Sequence, residues 1–182
     1  MPSFTLQGVE SVEGDSRSYS AGDFLRQSKA VLVAFICNHC PYARAIEDRL
    51  IALARAYSRD QLSVVGICSN DASQYPEDAP KALLLRWREK NYGFPYLLDT
   101  DQEAARAFGA VCTPDLFLFK SKDRVLYYHG RLDDNWKDPA AVTKHDLKEA
   151  IDGLLASKPP PREQHPSIGC SIKWKGEPKE SL

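Results

Sequence analysis

The sequence predicts a single α/β domain, and three observations predict it. Two short apolar runs, residues 31–35 (Val-Leu-Val-Ala-Phe) and 62–68 (Leu-Ser-Val-Val-Gly-Ile-Cys), have the continuous character of strands buried on both faces. Between them Ile46, Leu50, Leu53 and Tyr57 recur at helical spacing, so the three segments form a β-α-β unit. At 182 residues, 43% hydrophobic and 27% charged, the chain can bury one proper core and needs no second domain.

The first helix of that unit starts at Pro41, because proline is tolerated in the first turn, where its missing N–H is not needed. Residues 80–92 read as a charged surface helix, residues 94–99 as a short strand, and residues 102–108 as a helix ended by Gly109. The pattern then changes. Leu116-Phe117-Leu118-Phe119 and Val125-Leu126-Tyr127-Tyr128, joined across Ser121-Lys122-Asp123, form an antiparallel hairpin, and a last helix carries Leu147, Ile151, Leu154 and Leu155. Beyond Lys158, three consecutive prolines end regular structure. The domain therefore spans residues 1–158, and residues 159–182 are a polar tail packed on or beside it, its apolar residues being Ile168, Cys170, Ile172 and Trp174.

Charge excludes some partners. A net charge of −1, with 24 basic residues interspersed among 25 acidic ones, leaves no basic footprint for nucleic acid. No apolar run approaches the ~18 residues of a membrane span, and the first residues lack the basic and apolar regions of a signal peptide, so a cytoplasmic protein with no membrane partner is expected. Five cysteines in such a chain are reduced, catalytic or buried rather than a disulfide framework.

The chemistry centres on Cys37-Asn38-His39-Cys40-Pro41, where an apolar strand hands over to a helix. Zinc knuckles share the C-x-x-C spacing, but here a thiol lies beside the orphan N–H groups of a helix start, which favour a thiolate, so the pair reads as a redox dithiol. A metal is not expected, since His39 and Cys40 are adjacent and no second cysteine pair closes a tetrahedral site. Nor is a cofactor.

The element order, with Gly109-Ala110-Val111-Cys112-Thr113-Pro114 leading the hairpin, resembles the thioredoxin fold: a central mixed sheet flanked by helices. The opening Phe4-Thr5-Leu6-Gln7-Gly8-Val9 and Phe94-Pro95-Tyr96-Leu97-Leu98-Asp99 resemble the redoxin branch, that of the alkyl hydroperoxide reductase and thiol-specific antioxidant proteins, with an N-terminal extension, a redoxin-type insertion and a C-terminal tail. More narrowly, FICNHCPYAR, VCTPDLFLF and SIGCSIKWK resemble a little-characterised bacterial group of thioredoxin-like, peroxiredoxin-like proteins. The resemblance implies a cis-proline at Pro114 and, at Thr113, backbone groups that hold an extended substrate beside the nucleophile.

Counting from the strand Phe35, as thioredoxins count to their nucleophile, lands on Cys40, and Cys40-Pro41-Tyr42-Ala43 resembles the glutaredoxin motif with alanine for the second cysteine. Cys40 is thus favoured as the nucleophile, with Pro41 in the first helical position, and Cys37 becomes the resolving thiol. The usual register would instead place His39 second between the cysteines of a redox pair. Two readings stand for each neighbour. Arg131 lies in a turn that the resemblance puts near the nucleophile, where its guanidinium stabilises a thiolate or peroxide oxygen, or else it pairs with Asp133 or Asp134 on the surface. His39 is a thiolate partner or a polar loop residue. Cys112 exchanges disulfides with Cys40 or is a small buried hydrophobe, Cys170 is a distant resolving cysteine or a tail anchor, and Cys68 is structural.

Thiol–disulfide exchange through Cys40 and Cys37 leads the functional readings, with protein or low-molecular-weight disulfides as substrates and a thiol such as thioredoxin or glutathione as reductant. The alternative is a thiol peroxidase that reduces hydroperoxides through a Cys40 sulfenic acid. Against it, peroxiredoxins resemble one another in a threonine three residues before the peroxidatic cysteine, and Cys37 stands there. A non-catalytic redox sensor, or a metal-binding module with Cys37, His39, Cys40 and Cys112 as soft ligands, is the third reading.

Overall fold

The computed structural model describes residues 1–14 and 17–177. In chain order the elements are β1 (Thr5–Gly8), β2 (Ser18–Ser20), α1 (Ala21–Gln27), β3 (Ala30–Phe35), α2 (Pro41–Arg55), β4 (Leu62–Cys68), α3 (Pro80–Glu89), β5 (Tyr96–Leu98), α4 (Glu103–Phe108), β6 (Cys112–Thr113), β7 (Asp115–Lys120), β8 (Leu126–Gly130), α5 (Asp146–Leu155) and β9 (Cys170–Ser171). Seven strands form one sheet in the order β2-β1-β5-β4-β3-β7-β8, and β6 pairs with β9 in a second, two-stranded sheet. The large sheet is mixed. β3 runs parallel to β4 and antiparallel to β7, β4 runs parallel to β5, and the remaining pairs are antiparallel.

Side chains alternate across a strand, so a strand buried on both faces feeds two cores. In β3, Leu32 and Ala34 join Leu116 and Leu118 of β7 against α2, α3 and α5 on one face. Val31, Val33 and Phe35 join Phe117 and Phe119 against Phe24 of α1 and Ala104 and Ala105 of α4 on the other. Phe108 seals that second layer, its ring 5.5 Å from Phe35 and 5.7 Å from Phe119. β3 is thus the most enclosed strand, and whatever follows it is held at the sheet's centre.

α2 begins where the proline predicts it, with Pro41 in its first turn and Cys40 as the N-cap residue. The buried face of α2 differs from the predicted stripe: Ala43, Ile46, Leu50 and Ile51 face the core together with Glu47, whereas Leu53 and Tyr57 are half-buried. Glu47 tolerates burial because Arg86 grips it twice, at 2.9 and 2.5 Å, and the Tyr92 hydroxyl donates to it at 2.6 Å. α3 stops at Glu89, short of the predicted end, since Asn91 and Gly93 take left-handed backbone angles. The prolines at 159–161 do not end regular structure: the chain returns across the sheet's end and adds β9.

Candidate active site

Strand β3 ends at Phe35, α2 is capped by Cys40, and the loop between them carries Cys37 to His39. The Thr113–Pro114 peptide bond is cis. Thr113 lies over both cysteines: Cys40 Sγ donates to the Thr113 carbonyl oxygen at 2.9 Å, and Cys37 Sγ lies 3.1 Å from Thr113 Oγ1. Residues 73 and 76 positions apart in the chain therefore meet on one threonine.

The two thiols act on each other and are pushed in opposite directions. Cys37 is raised well above an ordinary thiol, first by burial, then as the donor to Cys40, then by the nearby Asp78 carboxylate. Cys40 is lowered, first by the Cys37 thiol, against the opposing effect of burial, and further by the Ala43 N–H in the first turn of α2 and by the Cys170 N–H and thiol. The Thr113 carbonyl favours the protonated Cys40, and the convergent donors outweigh it. The surroundings thus favour the thiolate at Cys40 and the thiol at Cys37, the division of labour that a nucleophile and its resolving partner require.

The loop is held by a residue the sequence reading did not single out. Asp78, 2% exposed, accepts from the backbone N–H groups of Asn38 at 2.7 Å and His39 at 3.1 Å, from His39 Nδ1 at 2.5 Å and from Asn70 Nδ2 at 2.9 Å. Burial raises its carboxyl, but the hydrogen bonds from His39, Asn70 and Asn38 prevail and hold it below the usual range. Tyr75 stacks on His39 with ring centres 4.6 Å apart. Because His39 Nδ1 is engaged by Asp78, the same nitrogen, 3.7 Å from Cys37 Sγ, cannot also serve as a base for that thiol. His39 positions the loop. Nothing in local spacing flags Asp78, which lies 40 residues beyond Asn38 and meets it only through the fold.

Ligand atoms of Cys37, His39 and Asp78 lie within 4.8 Å of one another, so these three residues could hold a soft cation. They differ from the Cys37, His39, Cys40 and Cys112 set that the sequence suggests for metal. Cys112 is buried and its Sγ lies 3.4 Å from the Pro114 carbonyl oxygen; burial and the Asp115 charge push its thiol up to about 12, the environment of a small apolar side chain. Cys68 is buried at the end of β4, and its thiol is also raised. Arg131 lines a hollow beside Pro114 with Trp136, Ser167 and Ile168, but its Nε pairs with Asp146 at 2.9 Å. Asp133 is taken by Arg49. Cys170, in β9, lies opposite Thr113. The five cysteines, all among the described residues, are free of disulfides.

A model described as the AhpC/TSA family matches residues 1–128. Among solved structures, the chain is similar to an uncharacterized conserved protein from Geobacillus kaustophilus, at 41% identity over 97% of this chain and 91% of that one, with a TM-score of 0.88. A hypothetical protein from Sinorhizobium meliloti 1021 is similar at 39% identity, over 97% and 93% of the two chains, with a TM-score of 0.87. A secreted Mycobacterium tuberculosis disulfide oxidoreductase homologous to E. coli DsbE matches at 17% identity over 85% and 95%, with a TM-score of 0.58, which speaks to the fold alone. No curated protein matches the chain. The fold is thioredoxin-like. No helix among the described residues is long and apolar enough to cross a membrane.

Proposed function

We propose that this chain, which belongs to the AhpC/TSA family, is a thiol–disulfide oxidoreductase in which Cys40 is the nucleophile and Cys37 the resolving thiol. The Cys40 thiolate attacks a disulfide sulfur of the substrate, forming a mixed disulfide and releasing one substrate thiolate. Cys37 then loses its proton and attacks Cys40 Sγ, which expels the second substrate thiolate and leaves a Cys37–Cys40 disulfide. An external thiol such as thioredoxin or glutathione returns the pair to the reduced state. Substrates are protein or low-molecular-weight disulfides.

The observation that carries this reading is the convergence of both sulfurs on Thr113 at the start of α2, Cys40 Sγ 2.9 Å from its carbonyl oxygen and Cys37 Sγ 3.1 Å from its Oγ1, and the opposite perturbation of the two thiols supports it. Burial alone would raise both, so the lowered Cys40 reports donors aimed at a sulfur that is to carry charge. Family membership favours a second reading, reduction of a hydroperoxide by Cys40 with condensation of the resulting sulfenic acid onto Cys37. Disulfide exchange is preferred because Cys37 occupies the position of the peroxiredoxin threonine and the Arg131 Nε is spent on Asp146.

The test is turnover of insulin or glutathione disulfide with dithiothreitol, beside turnover of hydrogen peroxide with the same reductant. Disulfide turnover that Cys40→Ser abolishes is expected, together with a Cys37–Cys40 linkage in the oxidised parent. Turnover confined to hydrogen peroxide would assign the peroxidase reading.

A further inference from the structure

Cys40 is the proposed nucleophile, yet its exposure is 0%. Part of the cover is supplied by the chain's own tail. Cys170 and Ser171 pair antiparallel with Thr113 and Cys112, and Ile172 N donates to the Val111 carbonyl at 3.0 Å. Gly169 passes so close that a Cβ there would lie 2.2 Å from the Thr113 carbonyl oxygen and 3.0 Å from Pro114 N, so only glycine lets the tail reach this depth. Upstream, the Arg131 N–H donates to the His165 carbonyl at 3.0 Å and Ser167 Oγ to the Gly130 carbonyl at 2.8 Å. Downstream, Lys173 N donates to Asn70 Oδ1 at 2.9 Å, and Ile172 is 2% exposed in the core. An extended strand thus lies on the threonine that holds Cys40, and it presents a cysteine in register with that threonine.

We propose that Gly169 to Ile172 is an internal substrate: this strand occupies the peptide site along Cys112 and Thr113, closes Cys40 from solvent, and carries Cys170 as a thiol that exchanges with Cys40. The proposal rests on Cys40 as nucleophile. An outside polypeptide disulfide gains the site by displacing the strand.

Cys40 thiolate attacks oxidised glutathione, forming the Cys40–glutathione disulfide and releasing one glutathione thiolate. Cys170, deprotonated, attacks Cys40 Sγ and expels the second glutathione thiolate, so two protein thiols are oxidised and one glutathione disulfide is reduced. In the parent, Cys37 attacks Cys40 Sγ in turn, which releases Cys170 as a thiolate and yields Cys37–Cys40. Without Cys37, the internal disulfide persists.

Full-length Cys37→Ser, treated with one equivalent of oxidised glutathione and mapped by mass spectrometry, should hold a Cys40–Cys170 disulfide, and Cys37→Ser/Cys170→Ser should instead keep glutathione on Cys40. A lasting glutathione adduct on Cys40 in Cys37→Ser, with Cys170 still a thiol, overturns the internal substrate alone. Glutathione on Cys37 of the parent in place of Cys40 overturns the nucleophile and this proposal with it. Gly169→Val tests the cover. Iodoacetamide should modify its Cys40 at least tenfold faster than in the parent, and an unchanged rate means that the tail does not close the site. The mapping in Cys37→Ser leaves the tail sequence intact, so it decides the exchange even if Gly169→Val folds poorly.

Discussion

Asp78→Ala should loosen the loop that holds both proposed redox cysteines. In the parent the buried carboxylate accepts from two backbone N–H groups, from His39 Nδ1 and from Asn70 Nδ2. Alanine fills none of that space, and the N–H groups of Asn38 and His39 face a cavity too deep for easy solvation. A buried donor left without a partner costs about 1–3 kcal/mol, and part of that is recovered as His39 and Asn70 turn toward water, so a loss of about 3 kcal/mol is expected. Urea unfolding of reduced protein measures it as a lower midpoint at unchanged slope. Asp78→Asn keeps the volume and the acceptor oxygen, and should lose about half as much. A second readout is independent of stability: removing the carboxylate takes away one of the charges that raise Cys37, so Cys37 should alkylate at lower pH in Asp78→Asn than in the parent. An Asp78→Ala protein within 0.5 kcal/mol of the parent, by the criterion for an unimportant surface site, would refute the reasoning.

Thiolate absorbance near 240 nm should persist in the reduced parent well below pH 8 and be missing from Cys40→Ser, because the folded Cys40 is lowered from its ordinary value. A depressed folded pKa contributes stability that is complete above the unfolded thiol value of about 8.5 and is lost as pH falls through the folded one, so Cys40→Ser should cost more at pH 8 than at the acid end. Arg86→Ala strands the buried Glu47 carboxylate with Tyr92 as its remaining short partner, and unfolding should show a loss of about 3–5 kcal/mol. Arg131→Ala breaks the pair with Asp146 and should lower stability by about 1 kcal/mol while leaving the 240 nm titration of Cys40 in place; a shifted titration would return Arg131 to the thiolate.

The elements that the sequence shows most clearly are those whose pattern is enforced by burial. β3 and β4 are enclosed on both faces and read as unbroken apolar runs, and the hairpin of β7 and β8 reads as two apolar strands around a polar turn. Pro41 marks the start of α2 because a missing N–H is harmless only there. Short edge strands leave no such mark: β2 has three residues with exposed and half-buried side chains, and β9 has two, set by pairing with Thr113 rather than by any periodicity. The site divides in the same way. Cys37, Cys40, Thr113 and Pro114 are visible in local motifs, whereas Asp78 and Cys170 reach the cysteines through tertiary structure. Glycine at 169 is a local trace of the tail's approach, beside the apolar Ile172 and Trp174, since its lack of a Cβ matters only against the Thr113 carbonyl.

The most direct test of the central claim is a single-turnover reaction of the reduced parent with a disulfide substrate, followed by mass-spectrometric assignment of every cysteine, beside Cys40→Ser. A Cys37–Cys40 disulfide in the parent, substrate thiol released in equal amount, and no reaction in Cys40→Ser are the predicted results. Substrate thiol released at the parent's rate by Cys40→Ser would contradict the account.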